Sequence, residues 1–102
     1  MEKYTSEQVR EALSTVPDWK LEEKMIVRRF RFPSFRQAMA FANGVAEMAE
    51  AMQHHPFIAI DYKVVTLRYT SWHAGGLTAA DFTAANRCDA LFNQLSAADE
   101  TL

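Results

Sequence analysis

Glu50-Ala51-Met52-Gln53-His54-His55-Pro56 sets a carboxylate one helical turn ahead of two adjacent histidines and closes on a proline. Histidine can both give and take a proton near neutral pH, so a doubled pair points to acid–base chemistry. Residues four apart are neighbours on a helix surface, so Glu50 is expected beside His54. There the carboxylate and the negative end of the helix dipole would both favour a charged imidazole, a poised proton donor. His55 precedes Pro56, which pushes it to extended geometry and sends its ring elsewhere, so the two rings could bracket one ligand. A plainer role competes: a histidine near a helix C-terminus caps carbonyls and suits the dipole, with Glu50 only anchoring His54. A metal site is disfavoured, since two neighbouring histidines lack a third ligand at usual zinc spacing.

Such a pair needs a helix that stops on cue and other elements that face it. Thr5-Ser6-Glu7-Gln8 has the pattern of a capping box, and Val9, Ala12 and Leu13 share a face of the short helix behind it, over before Pro17. Trp19 to Glu22 and Ile26 to Phe32 read as strands joined by a turn at Glu22-Glu23-Lys24, the second with Phe30 and Phe32 on one side and Arg29 and Arg31 on the other. Ser34-Phe35-Arg36-Gln37 repeats the capping box before a long helix to about Gln53, with Phe35, Ala38, Met39, Ala42, Ala46 and Ala49 at helical spacing. Phe41, Val45, Met48 and Met52 form a second apolar row, a stripe wider than one sheet contact would bury. Either the helix is buried all round or, the preferred reading, this row pairs with another copy of the chain.

Phe57 to Ile60 and Val64 to Tyr69 read as a second hairpin around Asp61-Tyr62-Lys63. Gly75-Gly76 marks a loop, and Thr78-Ala79-Ala80-Asp81 caps a last helix whose Phe82, Ala85, Leu91, Phe92 and Leu95 face inward. The order α-β-β-α-β-β-α with short turns predicts antiparallel pairing and helices over one sheet face, an α+β layer fold.

At 102 residues the chain, 1–102, is expected to form a single domain that buries roughly 60 to 70% of its unfolded surface. A net charge of -2 gives no general attraction to phosphate backbones, so nucleic acid is not the expected partner. The lone Cys88 cannot form an internal disulfide and reads as a small core residue. The start, Met1-Glu2-Lys3-Tyr4, lacks a signal-peptide pattern, and no window approaches the roughly 20 apolar residues of a membrane span, so a cytoplasmic protein is expected. Ala97 to Leu102 is expected to fray.

Beyond the helix end, the residues resemble a known family, the pterin-4a-carbinolamine dehydratases. That family's pattern is an acidic residue, three positions, His-His-Pro, an aromatic six positions after the proline, a His or Trp ten further on, and then an Asp. Glu50, His54, His55, Pro56, Tyr62, Trp72 and Asp81 fill every place. The likeness also runs through Trp19, Phe30, Phe32, Phe35 and Ala38 and through Ala74-Gly75-Gly76-Leu77-Thr78, nearly the whole chain. It implies a four-stranded antiparallel sheet under three helices, with dimers or tetramers formed through the 35–53 helix. It further implies a hydro-lyase that removes water from a 4a-hydroxy-tetrahydropterin to give the quinonoid dihydropterin, in tetrahydropterin recycling, with no cofactor or metal.

That reaction moves two protons, one onto the departing 4a-hydroxyl and one off N5. His54 is taken as the general acid, and His55 as the residue that orients the pterin or accepts the N5 proton. Glu50, Pro56, Ser71, Trp72, His73 and Asp81 are the residues the resemblance places around the substrate. Better-known members carry a third histidine where this chain has Trp72, which cannot shuttle a proton but can stack on a flat pterin and donate one indole N–H. His73 follows it, and strand alternation would turn that ring away unless a bulge intervenes. Asp81 could equally serve only as the acid of the Thr78 cap. Two other functions fit the same residues. One is a non-catalytic binding or assembly role, since a mammalian member is also a dimerisation cofactor for a homeodomain transcription factor. The other is a related enzyme of molybdopterin metabolism.

Overall fold

Thr5 and Ser34 start the first two helices as their sequences require. Gln8 donates its backbone N–H to Thr5 Oγ1 at 3.1 Å while Thr5 N–H reaches Gln8 Oε1 at 2.8 Å, a complete capping box. Ser34 Oγ accepts from the Gln37 N–H at 3.2 Å. The structure, a computed structural model, describes residues 2–100 and their side chains to residue 96. Its elements are α1 (Ser6–Leu13), β1 (Lys20–Glu22), β2 (Met25–Arg31), α2 (Phe35–Met52), β3 (Phe57–Asp61), β4 (Val64–Tyr69) and α3 (Ala79–Glu100), with a 3-10 turn at Trp72–Ala74. Apart from the α3 backbone, the fraying expected at the C-terminus lies outside the described residues.

The four strands form one antiparallel sheet in the order β1-β2-β4-β3, so two hairpins are zipped together by β2 and β4. Glu23 and Tyr62 take left-handed backbone angles at the two hairpin turns. In the register Ile26↔Tyr69, Arg28↔Leu67 and Phe30↔Val65, alternate residues face the helices. There Ile26, Phe30, Val65, Leu67 and Tyr69 meet Ala38, Phe41 and Val45 of α2 and Phe82, Ala85 and Cys88 of α3. Phe30 lies 4.6 Å from Phe41 and 5.2 Å from Phe92 between ring centroids, so sheet and both long helices share one aromatic cluster. At its edge Asp89 of α3 accepts from Trp19 Nε1 at 2.9 Å and from Arg28 at 2.6 Å, joining the start of β1 and the middle of β2 to α3.

The second apolar row on α2 is not left wet. Phe41 and Val45 are fully buried within the single chain, and Met48 and Met52 pack against the same core. The stripe is wide because α2 has two neighbours, the sheet and α3. Gly44 helps, since a Cβ there would meet Leu91 Cδ2 at 2.8 Å. Phe41 and Val45 therefore give no argument for self-association, while Met48 and Met52 stay partly exposed. Among the described residues, the large apolar side chains that remain open include Phe35 at the start of α2 and Phe57, Ile58 and Ile60 on the edge strand β3, along with Leu21, Tyr62 and Trp72.

Candidate active site

Gln53 caps the end of α2, where the helix is expected to stop. Its backbone turns left-handed at φ 55°, its N–H reaches Glu50 O at 3.3 Å, and the His54 N–H returns to Ala49 O at 3.1 Å. That pair of bonds is the Schellman closure of a helix end. Gln53 Nε2 adds a bond to Glu50 O at 2.9 Å, which helps hold a non-glycine residue in a conformation that costs roughly 1–2 kcal/mol.

The reversal changes the partners expected from helical spacing. His54 is no longer on the α2 surface above Glu50, and its Nε2 bonds Asp81 Oδ1 at 2.7 Å instead. Glu50 pairs with His55, whose Nε2 lies 2.5 Å from Glu50 Oε2. The four-apart rule applies only while the backbone stays helical, and Gln53 breaks it one residue too early. Two histidine–carboxylate pairs result. His54–Asp81 is sheltered, with Asp81 fully buried and the His54 side chain 17% exposed, whereas His55–Glu50 stands in solvent.

Asp81 does both things open to it. Its Oδ2 accepts from the Thr78 N–H at 2.9 Å and from Ser71 Oγ at 2.8 Å, closing the start of α3. Its Oδ1 holds His54. Three donors converge on this carboxylate, the satisfaction a buried acid needs. Thr78 Oγ1 bonds Ser71 Oγ at 2.9 Å and accepts from the Ala80 N–H at 3.2 Å, so α3, the 71–76 loop and the end of α2 form one hydrogen-bonded unit.

Residues 71–76 are neither strand nor bulge. A Ser71–Gly76 bridge encloses the 3-10 turn, and Gly75 closes it at φ 78°. With about three residues per turn, neighbours diverge by roughly 120° rather than to opposite faces. Trp72 and His73 therefore both border one cleft of about 320 Å3, shared with His54, His55 and Ser71. Strand alternation had turned His73 away, and the turn removes that objection. Trp72 is 68% exposed, with Phe57 edge-on at 5.9 Å. Of the remaining expected residues, Asp81 lies behind His54, and neither Glu50 nor Pro56 borders the cleft. Glu50 reaches it through His55, and Pro56 leads directly into β3. A larger concavity of about 410 Å3 beside α1 is bordered by Lys3, Arg10, Glu23 and Lys24 but by no histidine, so the doubled histidines lie at the smaller one.

Gln53, Thr70, Thr78 and Tyr69 complete the site, and sequence reasoning did not assign them to it. The first three border the cleft. Tyr69 is buried behind it, its ring stacked on His54 at 5.6 Å and 12° and its hydroxyl 3.5 Å from Cys88 Sγ. Burial pushes the Tyr69 phenol far above its ordinary value, with the Cys88 sulfur adding to it, and burial pushes the Cys88 thiol up to about 11. Among the described residues no group of three or more His, Cys, Asp or Glu side chains is placed to hold a metal ion.

The arrangement offers imidazoles that can give or take a proton and an indole that can stack on a flat ring. Residues 2–91 match the family model described as pterin 4 alpha carbinolamine dehydratase. A protein of Chloroflexus aurantiacus named "Putative pterin-4-alpha-carbinolamine dehydratase" is 45% identical over 89 residues, 87% of this chain and 96% of that one. One of the same name from Picosynechococcus sp. is 42% identical over 87 residues, 85% of this chain and 95% of the other. The crystal structure of a transcriptional coactivator/pterin dehydratase from Brucella melitensis superposes with a TM-score of 0.85 at 27% identity, covering 88% of this chain and 98% of that one. A pterin dehydratase-like protein described as a RuBisCO assembly factor in the alpha-carboxysome gives 0.61 at 28% identity, covering 72% and 86%. With nine-tenths of its length matched, this chain belongs to the pterin 4 alpha carbinolamine dehydratase family.

Proposed function

We propose that the cleft removes water from a 4a-hydroxy-tetrahydropterin to give the quinonoid dihydropterin. The observation that carries this reading is two histidines bordering one cleft, each backed by a carboxylate, beside an exposed indole, in a member of this family. The N5 lone pair expels the 4a-oxygen as His54 protonates it, so the C4a–O bond breaks while C4a=N5 forms. The proton left on N5 passes to His55, and exchange with solvent restores both rings.

With His54 Nε2 committed to Asp81, Nδ1 is the nitrogen left for substrate. Asp81 replaces Glu50 as the carboxylate behind the proposed acid, while Glu50 orients His55. Trp72 offers a flat face for the pterin, and His73 supplies a third imidazole at the same opening. Stopped-flow measurement of 4a-hydroxy-tetrahydropterin loss tests the reading. Clear acceleration over the spontaneous reaction is expected, and none would refute it.

A second reading, a non-catalytic assembly role, draws support from the solved relative described as a RuBisCO assembly factor and from Trp72 standing where better-known members have histidine. An inactive protein that still binds a tetrahydropterin would favour it. We also propose that the chain self-associates as a dimer or tetramer. The apolar surface available for this is the edge strand β3, with Phe57, Ile58 and Ile60, together with Phe35 and the Tyr62 ring stacked on it at 6.5 Å.

A further inference from the structure

His54 is fixed by a hydrogen bond at one ring atom and by an aromatic surface across one ring face. Asp81 supplies the first. Tyr69, the last residue of β4, supplies the second, with ring centroids 5.6 Å apart and planes 12° from parallel. A single hydrogen bond leaves an imidazole free to swing about the axis through the bonded nitrogen. A parallel ring along one face removes that freedom, because rotation would drive the imidazole edge into the phenol.

The phenol is itself held. Tyr69 is fully buried, touches the Trp19 ring at 6.0 Å, and meets Cys88 Sγ through its hydroxyl at 3.5 Å. Cys88 lies seven residues after Asp81 on α3, about two turns along the same helix face. One helix thus sets both restraints, Asp81 directly and Cys88 through Tyr69. Burial keeps both the phenol and the thiol protonated through the neutral range, so this contact carries no charge to the imidazole and moves no proton.

We infer that Tyr69 is a positioning residue for His54: its buried ring face holds the imidazole so that Nδ1 meets the substrate. The inference rests on the dehydratase reading for its catalytic consequence, but the restraint on His54 can be measured without substrate. Burial alone would be served by any large apolar side chain at this strand position, so the aromatic face is the distinguishing requirement.

The test compares Tyr69→Phe, which keeps the face and loses the hydroxyl, with Tyr69→Leu, which loses the face. Circular dichroism and thermal melts confirm that each variant is folded. Nitrogen-15 NMR of labelled histidine reads the His54 tautomer, and the ring-proton shifts read the stacking. Tyr69→Phe is expected to keep the upfield ring-current shift and the wild-type His54 nitrogen-15 pattern. Tyr69→Leu is expected to lose the shift and to change that nitrogen-15 pattern, with kcat down at least about tenfold and KM within about twofold, since a 1 Å misplacement alone can cost about 10²-fold. Unchanged His54 spectra in Tyr69→Leu would overturn the inference, as would altered spectra with an unchanged kcat. If the wild-type protein shows no turnover, the dehydratase reading fails by itself, and the spectra of the two variants still decide whether Tyr69 holds His54. Should Tyr69→Leu not fold, Tyr69→Met takes its place with the same expected outcomes.

Discussion

Asp81 and Glu50 each hold one histidine, yet they differ in what surrounds them. Asp81 is enclosed and receives three hydrogen bonds, whereas the Glu50 carboxylate stands in solvent against His55. Replacing Asp81 by Asn keeps the shape but leaves one amide edge facing a donor it cannot accept from. Asp81→Asn is expected to lower kcat by about 10²-fold, within the range that positioned acid–base groups supply. Glu50→Gln should change it by less than about threefold, because an exposed pair adds little. Steady-state kinetics on both variants check this, and equal losses would contradict the division into a sheltered and an exposed dyad. His54, His55, Glu50 and Asp81 were all legible as chemistry-bearing residues. Their pairing was not, because one left-handed residue, Gln53, rotates the histidines off the helix lattice. Tyr69 was legible as a strand residue but not as a partner of His54, since sequence spacing carries no trace of a contact between separate elements.

Between elements, β4 and α3 are joined by two buried titrating side chains. Unfolded, Cys88 and Tyr69 would lose their protons around their ordinary values of 9.0 and 10.0. Folded, burial holds the Cys88 proton to about 11 and the Tyr69 proton well beyond that. The unfolded chain therefore binds fewer protons in alkali, so this contribution to stability is complete below about pH 9 and drains away as pH rises further. Urea midpoints are expected to fall from about pH 9 upward and to fall less in Tyr69→Phe. An equal fall in both proteins would assign alkaline instability to other groups. Most elements could be read directly from capping and alternation: the Thr5 and Ser34 starts, both hairpins and the Thr78 cap all stand as expected. The 71–76 loop differed because a bridge and a positive-φ glycine impose a turn where alternation suggested continued strand. The α2 rows differed because periodicity counts apolar faces but does not say whether the second neighbour is α3 or another molecule.

At the scale of the whole molecule, the sheet leaves β3 unpaired at its edge, and unpaired backbone beside Phe57, Ile58 and Ile60 is a template for another strand. Light scattering at micromolar concentration is expected to show a dimer or larger, and Ile58→Lys to shift it toward monomer. A monomeric wild-type protein would remove self-association from the account. The α+β order was readable throughout, because local turn chemistry and hairpin spacing leave few alternatives. Which surface meets a partner was not, since that depends on which apolar residues the monomer itself has already buried. The catalytic proposal joins all three scales: α2 delivers His54, β4 backs it, α3 ties it and the 71–76 turn brings Trp72 to the same cleft. Stopped-flow dehydration of 4a-hydroxy-tetrahydropterin by wild-type protein and His54→Ala tests it most directly. The account predicts acceleration by the wild type and a loss of about 10²- to 10⁴-fold in the variant; full activity in His54→Ala with an unchanged pH profile would contradict it.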